Sequence, residues 1–275
     1  RLPGRHSPGE GGPDPVKLLL LSDKESEYLW DYYRPGRLKD IDLILSCGDL
    51  SSKYLTFLVT MAGRPLLYVH GNHDKTYDQH PPEGCDCVED RLVTVGGLRI
   101  LGLGGSIRYS GGPHQYTERQ MARRVRRLRY RLWRAGGVDI VLTHSPMLGY
   151  GDGEDYAHQG FESLLALVDK YHPQYLIHGH VHANYGCHLP RVLQRGETTI
   201  INAYERYVLD LENPPPPGGE SKRGPPLSAP PPQPQGSPAA AGLLRKPATR
   251  HKGRPTPKEN PPTDRKEKGV CGKNL

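Results

Sequence analysis

The stretch Pro65-Leu66-Leu67-Tyr68-Val69-His70-Gly71-Asn72-His73-Asp74 decides how this chain is read. Residues 65–69 form a short apolar run of the kind that suits a buried strand. The run stops at a glycine, after which come three side chains able to hold a metal or move a proton. Glycine lets the backbone turn sharply, so a Gly-Asn-His-Asp string after a strand aims polar groups into a shared space. A second stretch repeats the arrangement: Tyr175-Leu176-Ile177 runs into His178-Gly179-His180-Val181-His182.

Working outward, three more apolar segments end in the same manner. Residues 16–21 lead to Ser22-Asp23-Lys24-Glu25, residues 41–46 to Gly48-Asp49, and residues 138–142 to Thr143-His144. Each piece alone is weak, because a Gly-Asp pair usually marks a turn and a lone His after a strand is more often a hydrogen-bonded structural residue. Five strand ends delivering Asp, Asn or His to one edge are a stronger signal. Cations such as Mn²⁺, Fe or Zn²⁺ take that mixture of imidazole and carboxylate.

Residues 98–103 complete the set of short apolar runs, and 91–95, 198–202 and 207–211 are further strand candidates. Between them, Phe161, Leu164, Leu165 and Val168 recur at i, i+3, i+4 and i+7, which marks one face of a helix. Met121, Val125, Leu128 and Leu132 mark another within Glu118–Arg134. Strands alternating with helices give an α/β fold, in which function gathers at the carboxyl ends of strands.

Charge and composition divide the chain. The net charge is +7, but residues 213–275 carry 12 Lys/Arg and 4 Asp/Glu, a net of +8, which leaves −1 for residues 1–212. The same tail holds 16 of the 28 prolines and few large apolar residues, so it cannot bury enough surface to offset its ordering entropy. The chain therefore reads as a flexible segment 1–15, a globular domain 16–212 and a Pro-rich basic disordered tail 213–275. No apolar run approaches the roughly 18 residues needed to span a bilayer, and residues 1–15 lack the apolar core of a signal peptide. The five scattered cysteines suit a reduced thiol set, hence a cytoplasmic location.

The series Asp23, Gly48-Asp49, Gly71-Asn72-His73-Asp74, His144 and Gly179-His180-Val181-His182 resembles the calcineurin-like metallophosphoesterase superfamily over about residues 16–211. The resemblance implies an α/β four-layer sandwich of two mixed β-sheets flanked by helices, and a metal-dependent hydrolase of phosphodiesters or phosphomonoesters. It implies two divalent ions, Mn²⁺ foremost, with Fe, Mg²⁺ and Zn²⁺ as the other candidates. Asp49 would bridge them, Asp23 and His182 would hold the first, and Asn72, His144 and His180 the second. His73 would be the catalytic group beside the metals, oriented by Asp74. Two such ions clamp a phosphate and acidify a shared water that attacks phosphorus.

The first motif departs from the family pattern, with Asp23-Lys24-Glu25 where Asp-x-His is usual. Glu25 either ligates the first metal, favouring Mn²⁺ or Mg²⁺ over Zn²⁺, or hydrogen-bonds a ligated water. In the Gly-rich segment 104–116, Arg108 is a candidate clamp for a phosphate oxygen, set against a solvated surface arginine. The loop 151–159 with His158 is a similar case, read as a surface loop in preference to a substrate contact. The arginines of Glu118–Arg134 read as the solvated side of an amphipathic helix, with a nucleic-acid face as the alternative. The basic tail could also hold nucleic acid through a salt-sensitive attraction. The rivals to a phosphoesterase are a non-catalytic metal-binding scaffold and a nucleic-acid-binding protein. Oligomeric state and native substrate are open at this point.

Overall fold

The computed structural model describes residues 16–182 and 190–211. The segments expected to be flexible or disordered, 1–15 and 213–275, lie outside the described residues. The chain divides into two units, Arg1–Leu227 and Ser228–Leu275, and every described residue belongs to the first.

In chain order the elements are β1 (Val16–Leu21), β2 (Leu43–Ser46), α1 (Ser52–Ala62), β3 (Leu66–Tyr68), β4 (Asp86–Cys87), β5 (Arg91–Val95), β6 (Leu98–Leu103), β7 (Ser106–Ile107), β8 (Gln115–Tyr116), α2 (Glu118–Arg134), β9 (Ile140–Thr143), α3 (Glu162–Tyr171), β10 (Tyr175–His178), β11 (Val192–Arg195), β12 (Thr198–Asn202) and β13 (Tyr207–Leu211). One sheet runs β13-β1-β2-β3-β4 and a second β11-β12-β10-β9-β6-β5. Both are mixed: β1, β2 and β3 are parallel with β13 antiparallel at the edge, and β6, β9, β10 and β12 are parallel between antiparallel edges β5 and β11.

Three clusters of buried side chains define four layers. Leu18, Leu20, Leu45 and Leu67 of the first sheet pack with Ile100, Ile140, Leu142 and Ile177 of the second, so the sheets face each other across a dry interior. The other face of the second sheet takes Met121, Leu128 and Leu132 from α2 and Leu164 and Val168 from α3. The other face of the first takes Tyr54, Leu55 and Leu58 from α1. This is the helix–sheet–sheet–helix sandwich expected above.

Helix α1 was not anticipated, because its Thr, Val and aromatic residues blur the helical period. Its ends are nonetheless marked. Ser51 caps the first turn through Tyr54 N, and Gly63 closes the last in the left-handed conformation. Strand β11 was also unforeseen. It is a half-exposed edge strand, and only its pairing with β12 reveals it.

Candidate metal centre

Parallel strands point their carboxyl ends in one direction, and the two facing sheets bring both sets of ends together. Asp23, Asp49 and Asn72 follow β1, β2 and β3, while His144, His180 and His182 follow β9 and β10. Hydrogen bonds cross between the sheets at this rim. His180 N donates to Asp23 Oδ2 at 2.8 Å, and His144 Nδ1 meets Cys47 O at 2.9 Å.

The backbone here is contorted in a way that only close approach explains. Asp23, Asp49 and His180 all adopt left-handed backbone, with φ of 64°, 57° and 66°, each costing on the order of 1 kcal/mol or more. Glycine is required where loops touch. A Cβ on Gly71 would lie 2.0 Å from Asp49 Oδ1, and one on Gly179 would lie 1.8 Å from Ser22 Oγ. Asp74 Oδ2 accepts from Asp49 N at 2.9 Å and Gly71 N at 2.7 Å, tying the two loops together. Burial and the nearby Asp49 charge push its carboxyl up to about 6. His73, exposed at the rim, is held through its backbone N–H to Asp49 Oδ1 at 2.7 Å.

The result is an open cleft of about 400 Å³ lined by Asp23, Asp49, Asn72, His73, His180 and His182, joined by Tyr109, Ala157 and His158. Fully buried His144 stands behind it. Ligand atoms of Asp49, His144 and His180 lie within 4.8 Å of one another.

These groups fit a cation. His144 Nδ1 donates to Cys47 O, so a neutral His144 presents a bare Nε2 to Asn72 Oδ1 at 2.9 Å and Asp49 Oδ2 at 3.4 Å. Acceptors then face acceptors, a contact that a proton or a metal ion relieves. Burial pushes the His144 imidazolium down, yet the carboxylates of Asp49, Asp23 and Asp74 outweigh it and hold its pKa above the usual value. His180 Nε2 is committed to Ala157 O at 2.8 Å, which leaves Nδ1 as its ligand atom. Burial and the His144 charge drive His180 down to about 3, so it is neutral at physiological pH, the form in which imidazole can take a metal. Asp23 Oδ1 is buried without a hydrogen bond, and its nearest basic group is His182 Nε2 at 3.7 Å. A buried carboxylate oxygen left in that state is costly unless a cation completes it.

Two expected site residues stand apart. Glu25 Oε1 accepts from Ser51 N at 3.2 Å, at the start of α1, and does not line the cleft. Exposed Arg108 turns to Gln120 Oε1 at 3.2 Å, and its neighbour Tyr109 reaches the cleft in its place. Tyr109 OH receives Asn72 Nδ2 at 3.0 Å. His158, read from sequence as part of a surface loop, lines the cleft and is held by Asp155 Oδ2 at 2.8 Å, with its ring 5.0 Å from that of His180. Within the glycine-rich segment Tyr109, not Arg108, lines the cleft, and His158 comes from the loop 151–159.

The model of the calcineurin-like phosphoesterases matches residues 21–184. The chain belongs to that family. UPF0046 protein K07C11.7 of Caenorhabditis elegans is 28% identical over 233 residues, covering 72% of each chain. Human metallophosphoesterase domain-containing protein 1 is 27% identical over 233 residues, 70% of this chain and 66% of the relative. Among solved structures, one superposes with a TM-score of 0.53 at 15% identity, covering 71% of this chain and 95% of the other. That likeness supports the fold alone. Among the described residues, no helix is long and apolar enough to cross a membrane.

Proposed function

We propose that the domain 16–212 is a metal-dependent phosphoesterase acting on phosphodiesters, with phosphomonoesters as the second substrate class. The observation that carries this reading is the ring of ligand-type atoms at the strand ends: buried Asp23 Oδ1 has no hydrogen-bond partner, and His144 Nε2 stands 2.9 Å from Asn72 Oδ1 and 3.4 Å from Asp49 Oδ2. Family membership gives that ring its meaning.

Asp23, Asp49, Asn72, His144, His180 and His182 would hold two divalent ions, Mn²⁺ by preference, with Asp49 shared between them, Asp23 and His182 serving the first and Asn72, His144 and His180 the second. Ions held there would neutralise phosphate oxygens and acidify water. His73 gives a proton to the leaving oxygen, its backbone fixed to Asp49 Oδ1. Asp74 acts on His73 through the loop it fastens, since its oxygen is engaged by Asp49 N and Gly71 N. Glu25 supports the first site from outside the ligand set, through the Ser51 turn that follows Asp49. Tyr109 sets the Asn72 amide so that Oδ1, and not Nδ2, faces the cation.

Hydrolysis of bis-p-nitrophenyl phosphate and p-nitrophenyl phosphate tests this, using metal-stripped protein with Mn²⁺, Mg²⁺ or Zn²⁺ restored and Asp49→Ala as control. Turnover that needs metal and vanishes in the control is the expected result. A folded protein that binds metal and turns over neither ester would instead be the non-catalytic scaffold.

A further inference from the structure

Helix α2 has a second face that the metal centre does not use. Its apolar side is spent on the sheet, where Met121, Leu128 and Leu132 are buried. On the outward side Arg119, Arg123, Arg126, Arg127, Arg129 and Arg134 are exposed. Among the described residues no carboxylate pairs with any of the six. The helix's single acid is taken elsewhere. Glu118 accepts from Glu162 N at 3.0 Å and Ser163 N at 2.9 Å, capping α3, which has no side-chain cap of its own.

Arginines therefore meet arginines at i+3 and i+4 along the whole face (Arg119 with Arg123, Arg123 with Arg126 and Arg127, Arg126 with Arg129). Such like-charge neighbours disfavour the isolated helix. An ordinary solvated face would interleave acids. Amid these charges stand two aromatic rings, Tyr130 at 65% and Trp133 at 69% exposure, with centroids 5.9 Å apart. Water is a poor environment for both, and neither helps the core.

We propose that the outward face of α2 binds single-stranded nucleic acid, its arginines on phosphates and Tyr130 and Trp133 stacked on unpaired bases. Charge complementarity selects a polyanion, and exposed rings beside the charges select one with open π-faces. An anionic membrane would also meet the charge. It would need an apolar helix face to insert, however, and that face is buried in the domain. The face continues towards the cleft: Arg108 contacts Gln120 in the first turn of α2, and the next residue, Tyr109, lines the cleft.

Binding here does not depend on the metal centre, so the test uses the full chain after chelation. Anisotropy of fluorescein-labelled oligouridylate of about 12 nucleotides, within the range of single-strand sites, is titrated at several salt concentrations. A duplex of equal length and phosphatidylserine vesicles serve as competitors. Tyr130→Ala with Trp133→Ala should weaken single-strand binding by about tenfold or more while leaving the salt slope unchanged. Arg126→Gln with Arg127→Gln should lower the slope by about 1.4, the loss of two phosphate contacts. All four positions are exposed, and unchanged thermal melts confirm that the variants fold. Unaltered binding in both variants would overturn the assignment and move any affinity to the basic tail. Competition by vesicles or duplex as strong as by unlabelled single strand, with no effect of losing the rings, would overturn it as well.

Discussion

Arg123 and Arg124 are adjacent arginines in the same helix, and removing each should have opposite consequences. Arg123 is exposed, whereas Arg124 keeps 7% of its side-chain surface. Its guanidinium pairs with Glu89, contacts Asp90 Oδ1 at 2.8 Å and donates to Gly104 O at 2.7 Å. Arg124→Met leaves Glu89, itself only 18% exposed, without its strongest partner. Removing one member of a buried ion pair costs roughly 3–5 kcal/mol. Two features soften the loss: His70 Nδ1 remains 3.5 Å from Glu89, and Asp90, half exposed, rehydrates. One adds to it, since Gly104 O loses its donor, at about 1 kcal/mol. The balance is about 3 kcal/mol, or about 6–12 °C in melting temperature for a domain of this size. Arg123→Met should fall within about 0.5 kcal/mol of wild type.

Urea unfolding of the two variants side by side measures the difference. Adding Glu89→Gln to Arg124→Met should recover part of the loss, because the buried charge is then gone. The sign with pH follows from Glu89. Burial raises its pKa, but His70 and Arg124 outweigh that and hold it below the usual value. Its stabilisation is therefore fully present above the unfolded-state pKa and disappears as pH falls through the folded one. Equal stability of Arg123→Met and Arg124→Met at neutral pH would refute the assignment of Arg124 as a buried tie.

Further outcomes follow from the geometry of the centre. Gly71→Ala drives a Cβ to 2.0 Å from Asp49 Oδ1, so bound metal per chain and phosphodiester turnover should both collapse while far-UV circular dichroism stays native; undiminished metal content would contradict the close approach. Tyr109→Phe removes the acceptor that fixes the Asn72 amide; activity should fall by about tenfold, for an interaction worth about 1.4 kcal/mol, and an unchanged rate would show that Asn72 needs no such fixing. Adding Mn²⁺ at about 100 times its dissociation constant should stabilise the stripped protein by about 2.7 kcal/mol for each ion bound, and Asp23→Ala should remove the share of the first site.

The residues of the candidate site could be picked out because each sits at a fixed, short distance after an apolar run. Asp23, Asp49, Asn72, His144, His180 and His182 are all set by chain-local rules: a strand ends, a glycine or a tight turn follows, and a polar side chain is presented. The strands and the two amphipathic helices were readable for the same reason, since periodicity is a property of consecutive residues. Helix α1 escaped because its apolar spacing was not clean, although its caps, Ser51 and Gly63, stand in the sequence.

What the sequence determined by itself, then, is which polar side chains follow the strands and in which order the strands deliver them to one rim. Only the tertiary structure decided what lies between those strands. It turned Arg108 to Gln120 and Tyr109 to Asn72, though the two are neighbours in the same loop. It buried Arg124 against Glu89 and left Arg123 in water, and it sent Glu118 to cap another helix. These partners are separated by 12 to 45 residues in sequence, and adjacent side chains go to different partners. No local pattern encodes such choices, because they depend on how two sheets and three helices stack, and on which face of each is left over.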